Sequence, residues 1–377
     1  MRITIEKAAL AAKLATASRI CGRGLSALNK LLILRATDAQ VQVLATDGNV
    51  EYCGAVVSAQ MQELGEIAVN GKFLADLVKR LPDWGLSLET DGSGNLVLKS
   101  EQLRYTIAAE AAWDPASLSL DPPAGGLAVD GEQLAQAFQR VLFCVSRDVG
   151  MEGTSCLKID PDPASDGVAL VGLDGYGLAR TILHDQSLRN VLQDRGPLLH
   201  RPYVEDLLRW LPHTGVQVAL GEKRLHLRTS EESFSLPVSD WTYPLYSNIL
   251  VKAAKAPTIL EAGREALLAA LERLSLFTTD ILPSVVFDAT TGPLTLSAQG
   301  DHGKAEEPLV AEVRGDALRV AFRAKQLMDV LRALSSERVR INISGVESPC
   351  LVSGLDEADA DYDMIVMPMR TNETKEE

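Results

Sequence analysis

The chain is poor in the residues that carry chemistry. Its five cysteines (Cys21, Cys53, Cys144, Cys156 and Cys350) stand far apart, with no CxxC pair. An odd, scattered set argues against a disulfide framework or a thiolate zinc site and fits free thiols in a reducing compartment. Five histidines (His184, His200, His213, His226 and His302) show no HxxxH or HExxH spacing, which argues against a zinc-hydrolase helix. There is no GxSxG elbow and no Lys-Ser or Lys-Thr phosphate loop, and the Gly pairs at Asp91 and Asp174 lack the strand–GxGxxG–helix setting. DPDPASDG at Asp160 places its aspartates wrongly for a calcium loop, with Val171 at the twelfth position, and is expected to be a hairpin turn. Hence no catalytic residue, metal or cofactor is expected. No stretch approaches the roughly 20 apolar residues that span a bilayer. The start, MRITIEKAALAAKL, lacks a secretory apolar run and cleavage site. A cytoplasmic protein without a membrane partner is expected.

What is present is ordinary globular composition in some quantity. The 377 residues are 46% hydrophobic and 23% charged, enough for two or three cores. Thirty-seven basic against 51 acidic residues give a net charge of −14, which opposes a uniformly basic, nucleic-acid-coating surface.

Three segments begin alike: ITIEKAALAAKLATASRI from Ile3, LAVDGEQLAQAFQRVLFCV from Leu127, and ILEAGREALLAALERLSLF from Ile259. Alternation followed by 3.6-residue spacing predicts a short strand and then an amphipathic helix in each. Leu10, Leu134 and Leu267 coincide. A second set reads GKFLADLVKRLP from Gly71, RPYVEDLLRWLP from Arg201 and RAKQLMDVLRAL from Arg323, with Asp76, Asp206 and Asp329 in register. Pro82 and Pro212 should stop the first two of these helices. Strand runs follow each helix, so the fold class is α+β with antiparallel sheets. Asp47-Gly48 and Asp174-Gly175 fall at matching places and predict a shared turn rather than shared catalysis. Connectors are expected at 115–126 and 247–257. The units are 1–124, 125–255 and 256–377, the last ending in a short acidic tail.

Charge is not evenly spread. Across 6–20, 71–82, 130–143, 200–212, 261–274 and 323–334 there are 14 basic and 10 acidic residues, while the remainder holds 23 and 41. The helices are mildly basic and the rest strongly acidic. Basic helix faces bind phosphate without reading bases.

Taken with IVMPMR (365–370), 305–334, ATDGNVEY (45–52) and GLDGYGLA (172–179), this pattern resembles the bacterial DNA polymerase III beta subunit (beta sliding clamp) family from Arg2 to Arg370. The resemblance implies three clamp domains per chain, each with two helices on antiparallel sheets. It also implies a head-to-tail homodimer closing a six-domain ring around duplex DNA, a processivity factor rather than an enzyme. Helices pack about 10 Å apart, so six would enclose a hole of only about 9 Å, whereas twelve would leave roughly 28 Å clear. A duplex roughly 20 Å across therefore needs two chains.

The expected DNA-facing residues are Lys13, Arg19, Arg23, Lys72, Lys79, Arg80, Arg140, Arg209, Arg264, Arg273, Lys325 and Arg332. The implied dimer interface sets Tyr105 and its strand (103–109) against Leu276 and Phe277 of a second copy. The implied peptide pocket, for short linear motifs of DNA polymerase and clamp-loader subunits, comprises Leu157, Leu173, Gly175, Leu178, Pro244, Ile249, Val366, Met367, Pro368 and Met369. Pliant methionines suit a groove that accepts many related peptides. Tyr176 and Gly177 replace the family's His-Arg pair, Asn248 replaces an Arg, and the loop 148–155 lacks aromatics. These departures and the tail 371–377 mark a divergent or accessory member. The alternative is an acidic peptide-binding adaptor of the same fold that does not encircle DNA.

Overall fold

The computed structural model describes every residue except Ala112, 122–124, Val149, Asp280, Leu282 and 371–377. The acidic tail therefore lies outside the described residues. Among the described residues there are eight α-helices. They are α1 (Lys7–Arg23), α2 (Gly71–Arg80), α3 (Gly131–Leu142), α4 (Gln186–Leu192), α5 (Arg201–Trp210), α6 (Ser247–Ala254), α7 (Arg264–Ser275) and α8 (Ala324–Ala333). The three strand–helix starts and the three second helices fall where the spacing predicts. Leu10, Leu14, Ala17 and Ile20 give α1 one buried stripe. Asn70 caps α2 by accepting from Phe73 N at 3.0 Å. Pro82 and Pro212 follow the ends of α2 and α5.

Two helices are additional. α4 is started by Asp185, whose side chain accepts from Leu188 N at 2.8 Å. α6 occupies most of the expected connector 247–257. Its N-cap, Tyr246, makes no side-chain cap bond, and only Leu250 and Ala253 are buried, so little in the sequence announces it.

The chain forms two compact units, Met1–Ala135 with Asp185–Ser239, and Gln136–His184 with Asp240–Glu377. The cut passes through the second repeat because that repeat's strands belong to two sheets. In the first unit, one sheet runs in the order Leu127–Asp130, Gly215–Leu220, Arg224–Arg228, Glu232–Pro237, Glu51–Val56, Val41–Thr46, Leu31–Ala36 and Gly65–Asn70. A five-stranded sheet runs Gln60–Glu63, Arg2–Glu6, Gly85–Thr90, Leu96–Ser100 and Leu103–Ile107. α1 packs on α2 and on strands Val41–Thr46 and Glu51–Val56.

The second unit's main sheet runs Cys156–Pro161, Val168–Leu173, Gly177–Leu183, Tyr362–Val366, Cys350–Gly354, Arg338–Ile343, Thr258–Gly263 and Ala311–Arg314. A four-stranded sheet runs Gly303–Pro308, Thr295–Gly300, Ser284–Asp288 and Arg319–Arg323. α7 packs on α8, and α6 lies on the strands Arg338–Ile343, Cys350–Gly354 and Tyr362–Val366. The DPDPASDG stretch is the hairpin turn between Cys156–Pro161 and Val168–Leu173.

Candidate functional site

The expected pocket residues converge on the second unit. Leu178 pairs with Ile365 and Gly177 with Val366 across adjacent strands. Met367 N donates to Tyr176 O at 3.2 Å, so the final strand is tied to the Asp174–Gly177 turn. The segment before α6 is fixed on the same sheet: Tyr243 Oη donates to Val171 O at 3.2 Å, and Tyr246 Oη to Asp160 at 3.0 Å. Lys158, beside Asp160, lies 5.8 and 6.0 Å from the Tyr243 and Tyr246 ring centroids. Burial and the adjacent Asp160 carboxylate push the Tyr246 phenol well above its usual value.

Strand alternation corrects part of the expected set. Side chains one residue apart point to opposite faces. Leu178 and Ile365 share the face that carries α6, whereas Val366 points the other way and is 1% exposed. Leu157 alternates with Lys158, which takes the α6 face, and it is fully buried. Leu178 is also fully buried. Leu157 and Val366 thus face away from α6, while Leu178 lies with Ile365 beneath the α6 face. Leu173, Ile249, Met367, Pro368 and Met369 are half-buried, and Gly175 and Pro244 are exposed. The sequence reading missed Ile365, one position from Val366, and Leu245, which is 81% exposed beside Pro244. A Cβ at Gly177 would lie 2.7 Å from Gln326 Nε2 and 3.1 Å from Ile365 O, so a side chain there would crowd Gln326 and the final strand.

Most expected DNA-facing cations already have partners. Lys13 lies 2.9 Å from Glu231 and 3.3 Å from Glu232 and is largely covered. Arg23 reaches Asp47 at 2.9 Å and Asp206 at 2.5 Å. Arg140 reaches Asp359 at 3.3 Å and lies over Tyr362. Arg264 donates to Ser336 O at 2.8 Å, Arg273 pairs with Glu307, and Arg332 reaches Glu272 at 2.9 Å. Arg19 donates to Thr16, Arg80 to Asp76 O, and Arg209 to Asp206. Burial lowers the Arg19 pKa, with Asp206 opposing. Lys72, Lys79 and Lys325 are exposed.

Tyr105 is half-buried on Leu103–Ile107, an outer strand paired on one side only. Leu276 is 71% exposed just beyond α7. Phe277 is half-buried, and its carbonyl lies so close to Gly300 that a Cβ there would come within 2.2 Å. Gly300 ends the strand that pairs with Gly303–Pro308, an outer strand of the four-stranded sheet.

The DNA polymerase III beta subunit N-terminal domain model matches residues 1–114, and the C-terminal domain model matches 253–370. The chain is 26% identical to the beta sliding clamp of Pseudomonas putida over 98% of its length and 100% of that protein. It is also 26% identical to the beta sliding clamp of Streptomyces coelicolor, covering 98% and 99%. The fold superposes on the DNA polymerase III beta subunit of Pseudomonas aeruginosa with a TM-score of 0.88 at 24% identity, covering 98% of this chain and 100% of that one. The Streptococcus pneumoniae beta chain gives a TM-score of 0.90 at 17% identity, with the same coverage. With both terminal domain models and full-length relatives in agreement, the chain belongs to the DNA polymerase III beta subunit, or beta sliding clamp, family.

Proposed function

We propose that the protein is a DNA sliding clamp: two copies close head to tail around duplex DNA and tether polymerases and loader subunits by short peptides. The observation that carries this reading is family membership over the whole length, joined to an open sheet edge in each unit. Leu103–Ile107 offers Arg104, and Gly303–Pro308 offers Glu306 and Glu307. Pairing one copy's first edge with another copy's second would make a sheet comparable to the two large ones. It would cover Tyr105 and Leu276, and it supports the homodimer. Three clamp domains, 1–124, 125–255 and 256–377, are the corresponding reading of the repeats.

Lys72, Lys79 and Lys325, with Arg80 and Arg209, whose bonds run only to Asp76 and Asp206 on their own helices, are the exposed candidates to meet phosphate. The docking groove is assigned to Leu173, Gly175, Pro244, Ile249 and Met367–Met369, with Leu178 and Ile365 beneath. A solved Pseudomonas aeruginosa clamp bound to griselimycin shows that a family member takes a ligand. The role is to hold and not to catalyse. The protein loaded on nicked circular DNA should be retained and then released when the circle is cut. Equal retention on linear DNA refutes encirclement and favours the adaptor reading. Met367→Ala should weaken a docking peptide by about 1–2 kcal/mol.

A further inference from the structure

The first-to-second and second-to-third repeat junctions present the same carboxylate pair to two different fates. In the first unit, Asp47 Oδ1 accepts from Asn49 N and Val50 N, which leaves Oδ2 for Arg23 at 2.9 Å. Asp206, at the matching place on α5, meets the same guanidinium at 2.5 Å and Arg209 at 3.4 Å. In the second unit, Asp174 Oδ1 accepts from Tyr176 N and Gly177 N in the same turn. Asp329 holds the place of Asp206 on α8, with Arg332 three residues on at 3.7 Å. No bridging guanidinium joins Asp174 and Asp329 among the described residues. They line a cavity of about 160 Å³ together with Tyr176, Gln326, Arg323 and Lys325. Arg147, the repeat counterpart of Arg23, is exposed and not part of its lining.

We propose that this cavity is a seat for the guanidinium of an arginine carried by a docked peptide, with an acidic residue beside that arginine. Arg23 shows in the same molecule what two such carboxylates hold. Two carboxylates present acceptor oxygens to a planar fork of N–H donors, a match that a compact ammonium does not make. Arg323, stacked 5.2 Å from the Tyr176 ring centroid, and Lys325 line the same cavity and are both exposed. They disfavour a bare cation and receive the neighbouring carboxylate. The turn bonds to the docking strand through Tyr176 O and Met367 N, so an arginine flanking the docked motif reaches it. The source of that arginine rests on the docking reading, but the seat does not.

The test titrates N-acetyl-Arg-Asp-amide into the full-length protein and follows the Tyr176 signals by NMR with labelled tyrosine. A saturable shift is expected. Replacing arginine by its neutral isostere citrulline should weaken binding at least tenfold, as should Asp329→Asn. No shift at Tyr176, or equal affinity for the citrulline peptide, overturns the seat even if Asp329→Asn fails to fold. A docking peptide that fails to bind while the dipeptide still binds would remove only the docking reading.

Discussion

The two junctions differ by one side chain and what it leaves behind. Around Asp47 and Asp206 the Arg23 guanidinium closes the first junction, helped by a 3.1 Å bond to Pro202 O and the Tyr203 ring 5.7 Å away. Around Asp174 and Asp329 the same turn and the same helix position enclose an open cavity. Even so, Asp206 titrates above the ordinary carboxylate range, because burial outweighs Arg23, Arg209 and Arg19 around it. The closed junction is therefore a buried charge network whose two carboxylates depend on Arg23. The open one holds half-exposed charges that tolerate loss. Divergence of a duplicated site into one structural and one accessible copy follows from where the arginine falls relative to its helix end. Arg23 is the last residue of α1, whereas Arg147 lies five residues beyond the end of α3.

The largest expected effect breaks the closed junction. Arg23→Met leaves two buried carboxylates without their cation and should cost about 3 kcal/mol in denaturant unfolding, the lower part of the range for a broken buried pair because Arg23 is partly exposed. Arg147→Met, an exposed substitution, should change stability by less than about 0.5 kcal/mol. Equal losses would refute the contrast. Next, Asp206→Asn should cost less than about 1 kcal/mol, since Asp47 still holds Arg23 and burial already disfavours the Asp206 charge, while Asp329→Asn should be near neutral. A smaller difference is expected in the turns. Gly48 (φ +96°) and Gly175 (φ +87°) both adopt the left-handed backbone, so alanine should cost about 1 kcal/mol at each. Gly48→Ala should cost more, because its Cβ would lie 2.8 Å from Asn29 Nδ2, whereas Gly175 faces open space.

The repeats were legible because Leu10, Leu134 and Leu267 sit on helix stripes that any globular core imposes. The shared turn was legible because Asp-Gly carries its own mechanism: an aspartate that bonds the next amides and a glycine that takes positive φ. The docking strand was legible as IVMPMR, but its facing was not. Val366 and Ile365 are both apolar, and only the pairing register tells which lies beneath α6. The helix charges were countable, yet composition does not say that Lys13 will be held by Glu231 and Glu232, residues more than 200 positions away. α6 escaped because an eight-residue helix without a capping side chain leaves almost no periodic trace.

The mildest test of the comparison uses pH. The His200 pKa lies below the ordinary 6.5, first because burial disfavours the imidazolium and second because the Arg23 charge opposes it. A histidine with a depressed folded pKa binds fewer protons when folded than when unfolded. Its contribution is fully present above 6.5 and is lost as pH falls below that value. Stability should therefore decline modestly from pH 6.5 downward, with His226, depressed by burial and by Arg224, adding in the same direction. Removing the arginine in Arg23→Met takes away the second cause at His200 and leaves the first. The NMR titration of His200 should move up toward 6.5 without reaching it, while His226 should stay where it was. Movement of both histidines together would mean that the substitution had loosened the whole first unit, and the contrast between a closed and an open junction would then reduce to a difference in packing.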